Sequence, residues 1–337
     1  MATPSVGGKF LWHELMTTDP AAAKKFYGGV VGWKTKAFEQ DPSYQMWMMG
    51  DRAMGGLMPQ RLEGGTGPKP QWFNYIGTPD ADATVKQAVE LGGKVMRPAW
   101  DIPNVGRIGF LNDPQGAVFA ILQPLPMQGE MPGPQEMGNF SWHELLSTNW
   151  QAAWEFYSKL FGWQKTDSMD MGPMGTYQMF GQDGKTYGGM YTKSTTPPGP
   201  PFWLAYANVP DSKRAAETIK KLGGTIMNGP MEVPGGGVIV TAVDPQGAAF
   251  SVFSKAPAKP APTKPAATKP ATAAKSASAA PKKAAAKKVA PAKARPKKKA
   301  AKARAKSRGA SARKRSGARR AKPAARKRSR KSARKRR

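Results

Sequence analysis

Residues 10–33, FLWHELMTTDPAAAKKFYGGVVGW, return 130 positions later as residues 140–163, FSWHELLSTNWQAAWEFYSKLFGW. Trp12-His13-Glu14-Leu15 becomes Trp142-His143-Glu144-Leu145, Phe26-Tyr27 becomes Phe156-Tyr157, and Gly32-Trp33 becomes Gly162-Trp163. Further on, Gly92-Gly93 recurs as Gly223-Gly224 and Asp113-Pro114-Gln115-Gly116 as Asp244-Pro245-Gln246-Gly247, at an offset of 131. Order and spacing persist from copy to copy, so the folded part of the chain is a tandem duplication.

Within one copy, Phe10 to Met16 predicts a strand. Asp19-Pro20 supplies an N-cap and a first-turn proline for a helix over Ala21 to Val30, whose Ala23, Phe26, Tyr27 and Val30 fall on one face. Gly32 releases the chain into the next strand. Tyr44 to Met49 and Met54 to Met58 predict strands about a Gly50-Asp51 turn. Trp72 to Ile76 predicts a further strand and Ala81 to Leu91 a helix stopped by Gly92-Gly93. Arg107 to Leu111 and Ala117 to Leu122 flank the Asp-Pro-Gln-Gly turn as a hairpin. One copy is then two successive units of strand, helix and several strands, and the duplicated body holds four.

Charge divides the chain. Residues 255–337 carry 33 of its 53 Lys and Arg and none of its 22 Asp and Glu, leaving residues 1–254 with a net charge of −2. That tail has too few apolar side chains to offset the entropy of ordering, and predicts disorder. Residues 255–281 read as an Ala/Pro/Lys-rich spacer. Residues 282–337 are the polycation, with Lys297, Lys298, Lys299, Arg313, Lys314, Arg315, Arg319, Arg320, Arg326, Lys327, Arg328, Arg334, Lys335, Arg336 and Arg337 as the expected phosphate contacts. Phosphate contact without base readout predicts non-specific DNA binding, with RNA or another polyanion as the alternative partner. In composition the tail resembles the C-terminal arms of linker histones.

Cysteine is lacking, which excludes disulfides, thiolate nucleophiles and cysteine metal sites. Met1 to Phe10 shows no basic start before an apolar run, and no apolar stretch reaches the ~20 residues of a membrane span. The expected location is cytoplasmic, at the nucleoid, and the oligomeric state is open.

The opening strand, the Asp19…Phe26-Tyr27…Gly32-Trp33 segment and the closing Asp113-Pro114-Gln115-Gly116 hairpin, repeated in the second copy, resemble the vicinal oxygen chelate superfamily of glyoxalases, bleomycin-resistance proteins and extradiol dioxygenases. The resemblance implies an α+β fold: tandem domains over residues 8–125 and 139–254, joined by a linker at 126–138, each made of two βαβββ units that form a curved mixed sheet around a cup. Family enzymes hold a divalent metal in the cup through a first-strand His and a last-strand Glu. Those positions here are Trp12, Phe73, Trp142 and Leu204 for the His, and Ala120 and Ser251 for the Glu. No cofactor is therefore favoured; the alternative is a divalent metal on a rearranged set, His13, Glu14, His143 and Glu144.

Strand alternation places Glu14 on the face of Trp12, and His13 on the other. The candidate pocket is accordingly Trp12, Glu14 and Tyr75, with Trp142, Glu144 and Tyr206 in the second copy, suited to a small aromatic or amphiphilic ligand. The two histidines read as hydrogen-bonding groups at a domain interface. Met46, Trp47, Met48, Met49, Met54, Met58, Met174, Tyr177, Met179 and Met190 line a pocket or pack the sheets. Three functions follow: a small-molecule-binding body tethered to DNA, a metal-dependent lyase or dioxygenase, and a nucleoid-associated structural protein without a ligand.

Overall fold

The computed structural model describes residues 6–60, 69–126, 136–194 and 199–255. The polycationic tail and its spacer beyond Lys255, most of the 126–138 linker, and parts of the loops at 61–68 and 195–198 lie outside the described residues.

The first copy runs β1 (Phe10–Thr17), α1 (Pro20–Val30), β2 (Lys34–Ala37), β3 (Gln45–Met49), β4 (Arg52–Pro59), β5 (Gln71–Gly77), α2 (Ala81–Glu90), β6 (Lys94–Ile102), β7 (Gly106–Asn112) and β8 (Val118–Pro124). The second repeats it: β9 (Phe140–Ser147), α3 (Trp150–Phe161), β10 (Gln164–Asp170), β11 (Thr176–Gln182), β12 (Lys185–Thr192), β13 (Phe202–Asn208), α4 (Ser212–Lys221), β14 (Thr225–Val233), β15 (Gly237–Val243) and β16 (Ala249–Lys255). Each copy forms one eight-stranded mixed sheet, ordered β2-β3-β4-β1-β5-β8-β7-β6 and β10-β11-β12-β9-β13-β16-β15-β14. The two βαβββ units join side by side through antiparallel β1 and β5, and through β9 and β13.

Local chemistry accounts for the helices. Asp19 caps α1 by accepting from the Ala22 amide, Pro20 opens its first turn, and Ala23, Phe26, Tyr27 and Val30 are its buried face. Asn149 caps α3 in the same way, and Gly162, with φ 69°, ends it in the left-handed region. The edge strands β6 and β14 were not individually marked by the pattern. β6 is largely exposed, contains Pro98 and breaks register between Arg97 and Trp100. An edge strand tolerates a proline that a central strand would not.

The core is shared between copies. Phe26, Tyr27, Trp33, Trp47 and Trp72 of the first copy pack with Ala205, Ile219, Val240, Phe250 and Val252 of the second. Reciprocally, Ile76, Leu111 and Phe119 pack with Phe156, Tyr157, Trp163, Phe180 and Trp203. The helix-bearing faces of the two sheets thus bury one another.

The repeated motifs make this contact. Trp72 Nε1 donates to the Tyr27 hydroxyl (2.9 Å), which donates to Asp244 Oδ2 (3.0 Å). In mirror fashion Trp203 Nε1 donates to the Tyr157 hydroxyl (3.0 Å), which donates to Asp113 Oδ2 (3.2 Å). The other oxygen of each aspartate accepts backbone amides of its own turn. Trp33 Nε1 donates to the Gly138 carbonyl and Trp163 Nε1 to that of Gly8. Phe-Tyr, Gly-Trp and Asp-Pro-Gln-Gly are therefore the reciprocal latch between the two copies.

Candidate functional site

On the sheet face opposite the shared core, each copy builds the same chain of polar groups. Trp12 Nε1 donates to the Tyr44 hydroxyl (3.0 Å), Tyr44 donates to Glu14, and the Tyr75 hydroxyl donates to Glu14 Oε1 (3.1 Å). In the second copy Trp142 Nε1 donates to the Tyr177 hydroxyl (2.7 Å) and Tyr177 donates to Glu144 Oε2 (2.9 Å). Tyr206 also hydrogen-bonds Glu144. A glutamate gripped by two phenols, one of them held by an indole, thus sits on this face of each sheet, where the family resemblance puts the cup.

Strand pairing fixes the arrangement. Glu14 on β1 lies opposite Gly56 on β4, and Glu144 on β9 opposite Gly189 on β12. A Cβ at Gly56 would meet the Tyr44 hydroxyl, and one at Gly189 the Tyr177 ring. A strand-interior glycine here clears the path by which the tyrosine reaches across the sheet.

Burial raises the pKa of both glutamates, opposed by the two tyrosine hydroxyls on each; Glu144 is pushed up to about 7. Tyr44, Tyr75, Tyr177 and Tyr206 are held well above the usual phenol range by burial and then by the facing carboxyl. They stay protonated donors. Tyr191, beside Glu144, is pushed up to about 12 by the same two causes. A carboxyl that shares its proton near neutrality can accept from, or donate to, a ligand hydroxyl, carbonyl or amine.

The structure brings Trp12, Glu14 and Tyr75 together, and likewise Trp142, Glu144 and Tyr206. Strand alternation does not mark Tyr44, which precedes its strand, and Tyr177 reads equally as a pocket-lining or a packing residue. The signal available was the pair Gly55-Gly56 inside a strand, repeated as Gly188-Gly189. Trp47, Met54 and Met190 belong to the cores, and Met174 is exposed.

The rearranged ligand set His13, Glu14, His143, Glu144 does not converge. Both histidines are buried on the core side, and His13 Nε2 meets His143 Nε2 at 2.7 Å across the two copies. His13 stacks on Phe140 and His143 on Phe10. The Tyr187 carbonyl, 3.1 Å from His143 Nδ1, can only accept. Neutral His143 is therefore protonated on Nδ1 and accepts at Nε2 from His13. The histidines join the interface, and the alternation that separates them from the glutamates is the reason.

The family ligand positions do face the cups: Glu14 pairs with Phe73, Tyr75 with Ala120 and Tyr206 with Ser251. Each cup then offers one carboxyl among phenols that remain protonated. A divalent ion needs several converging N or O ligands. Among the described residues no three His, Asp or Glu side chains cluster, and the donor set does not fit a family-type metal centre. Two surface grooves, one lined by Lys165, Asp167 and Gln178 and the other by Asp101, Arg107 and Gln123, include none of the glutamates, tyrosines or indoles of these clusters.

Four βαβββ modules, paired into two sheets with the same glutamate–phenol cluster in each, define a class of duplicated α+β proteins. The chain belongs to the Glyoxalase/Bleomycin resistance protein/Dioxygenase superfamily, which it matches over residues 9–121 and 140–252. It is 32% identical over 252 residues to the provisionally named glyoxylase CFP32 of Mycobacterium tuberculosis, covering 73% of this chain and 94% of that protein. It is 29% identical over 257 residues to the anthracycline biosynthesis protein DnrV of Streptomyces peucetius, covering 72% and 91%. Among solved structures, the Mn(II)-bound glyoxalase from Novosphingobium aromaticivorans shares the fold with a TM-score of 0.53 at 16% identity, covering 74% and 83%. Homoprotocatechuate 2,3-dioxygenase from Brevibacterium fuscum does so with 0.54 at 15% identity, covering 78% and 86%. No helix among the described residues is long and apolar enough to cross a membrane.

Proposed function

We propose that the body binds a small aromatic or amphiphilic molecule on its glutamate floors and that the basic tail holds the body on DNA. The observation that carries the first half is the phenol-gripped glutamate, built twice from different surrounding residues. Burying a carboxyl costs free energy unless it is partnered, and the fold partners it with donors that a ligand can share. The relation to DnrV, an anthracycline biosynthesis protein by name, points the same way. In thermal unfolding of the full chain, 2-naphthol should raise the midpoint progressively with concentration, because a ligand of the native state stabilises it by mass action. An unmoved midpoint would sink this half.

The second half rests on 33 basic side chains without one acidic side chain after Ser254. Neutralising about 8 to 10 phosphates makes affinity fall steeply with salt. Equal affinity for duplex DNA of the full chain and a chain ended at Lys255 would end the tether. Metal-dependent lyase or dioxygenase chemistry is the competing reading. Elemental analysis of the full chain purified without chelator separates the two, since a resident divalent ion at one per chain would favour the enzyme.

A further inference from the structure

The two cups share a floor and differ in their walls. In the first, Phe110 on β7 stands against Phe73 (ring centroids 5.0 Å) and Tyr75 (5.7 Å), and stacks on Trp100 of β6 (5.7 Å). The Arg97 guanidinium lies over the Trp100 ring at 3.5 Å and closes the stack from outside. Together with Ile108, Ala120 and Leu122 these rings form a packed cluster, and Glu14 beneath it keeps 5% of its surface.

Register identifies the matching residues of the second cup. Arg97 pairs with Phe110 and Trp100 with Ile108; Asn228 pairs with Thr241 and Met231 with Ile239. A cation, an indole and a phenyl ring are thus replaced by an amide, a thioether and a hydroxyl. Met231 is 43% exposed, and Glu144, Thr241, Ile239 and Phe253 are only half-buried. Thr241 and Ser251 hydroxyls sit 2.9 Å apart, and both reach Tyr206. Among the described residues no basic side chain acts on Glu144, whose hydrogen-bond partners are Tyr177 and Tyr206.

We propose that the second cup, floored by Glu144 and walled by Tyr206, Thr241 and Ser251, is the ligand site, and that the first is a closed copy plugged by its own Trp100 and Phe110. The ligand class is a flat organic molecule, uncharged or cationic, with a hydroxyl, carbonyl or amine at one edge. An anionic one would meet a carboxyl with no compensating cation among the described residues. This rests on the small-molecule reading above and assigns it to one half of the duplication.

Equilibrium dialysis of the full chain against 2-naphthol, proflavine and 2-naphthoate tests it. The expected result is one 2-naphthol or proflavine per chain and markedly weaker 2-naphthoate. Thr241→Phe, which transplants the plug, should weaken 2-naphthol by about tenfold or more. Tyr206→Phe, a gentler change that tests the site should Thr241→Phe misfold, should weaken it severalfold. Phe110→Tyr should leave it unchanged. Two equivalents per chain, or binding indifferent to both second-cup variants, would overturn the assignment while leaving small-molecule binding intact. No saturable binding of any of the three compounds would remove both.

Discussion

Glu144 and the His13–His143 pair answer to pH with opposite signs. Burial raises Glu144 from 4.5 to about 7, so between those values the folded chain holds a proton that the unfolded chain releases, and stability falls as pH rises. Carboxyl-labelled NMR should find the Glu144 midpoint near 7, and Tyr206→Phe should move it higher, because the lost hydroxyl favoured the charged form. A midpoint at 4.5 would contradict the half-buried, phenol-gripped geometry. Burial depresses both histidines, His143 to about 3, with the His143 charge adding to the effect on His13. Their neutral forms belong to the fold, so their contribution is complete above 6.5 and is lost as pH falls toward about 3. Denaturant midpoints of Glu144→Gln should keep the acid loss below pH 6.5, and those of the His13→Leu, His143→Leu pair should flatten it. The glutamates, the indoles and Tyr75 and Tyr206 were legible from strand alternation. Tyr44 was not, because its hydroxyl arrives from beyond the strand end through a gap that only the glycine opposite Glu14 reveals.

At the scale of elements, the helix positions were legible because capping residues and 3.6-residue periodicity coincide. Strand β6 was not, because its side chains are mostly solvated and Pro98 removes a donor, so neither periodicity nor composition marks it. The glycine of β12 has a direct consequence for the cup. Gly189→Ala places a methyl group against the Tyr177 ring, which must swing away from Glu144. The expected cost is about 1–3 kcal/mol of unfolding free energy, and the Glu144 carboxyl should titrate higher for want of a donor. Gly184→Ala, at a turn with φ 72° and open space around it, should cost stability through backbone strain without moving that titration.

Across the whole molecule, the sequence repeat shows that two copies exist but not which tyrosine meets which aspartate. Tyr27 and Asp244 are 217 residues apart, and only the docked copies bring them together. Tyr27→Phe removes the group that accepts from Trp72 and donates to Asp244, so two buried polar groups lose a partner. Chemical denaturation should show a loss of about 1–3 kcal/mol, and Tyr157→Phe should match it by symmetry. The body's net charge of −2 against the tail's +33 makes the two proposed activities physically separable on one chain. The most direct measurement is equilibrium dialysis of the full chain against 2-naphthol with and without saturating duplex DNA, corrected for DNA alone. The account predicts one naphthol per chain in both cases at low salt, with the DNA, but not the naphthol, released as salt rises. Displacement of naphthol by DNA, or naphthol uptake only after the tail is removed, would contradict it.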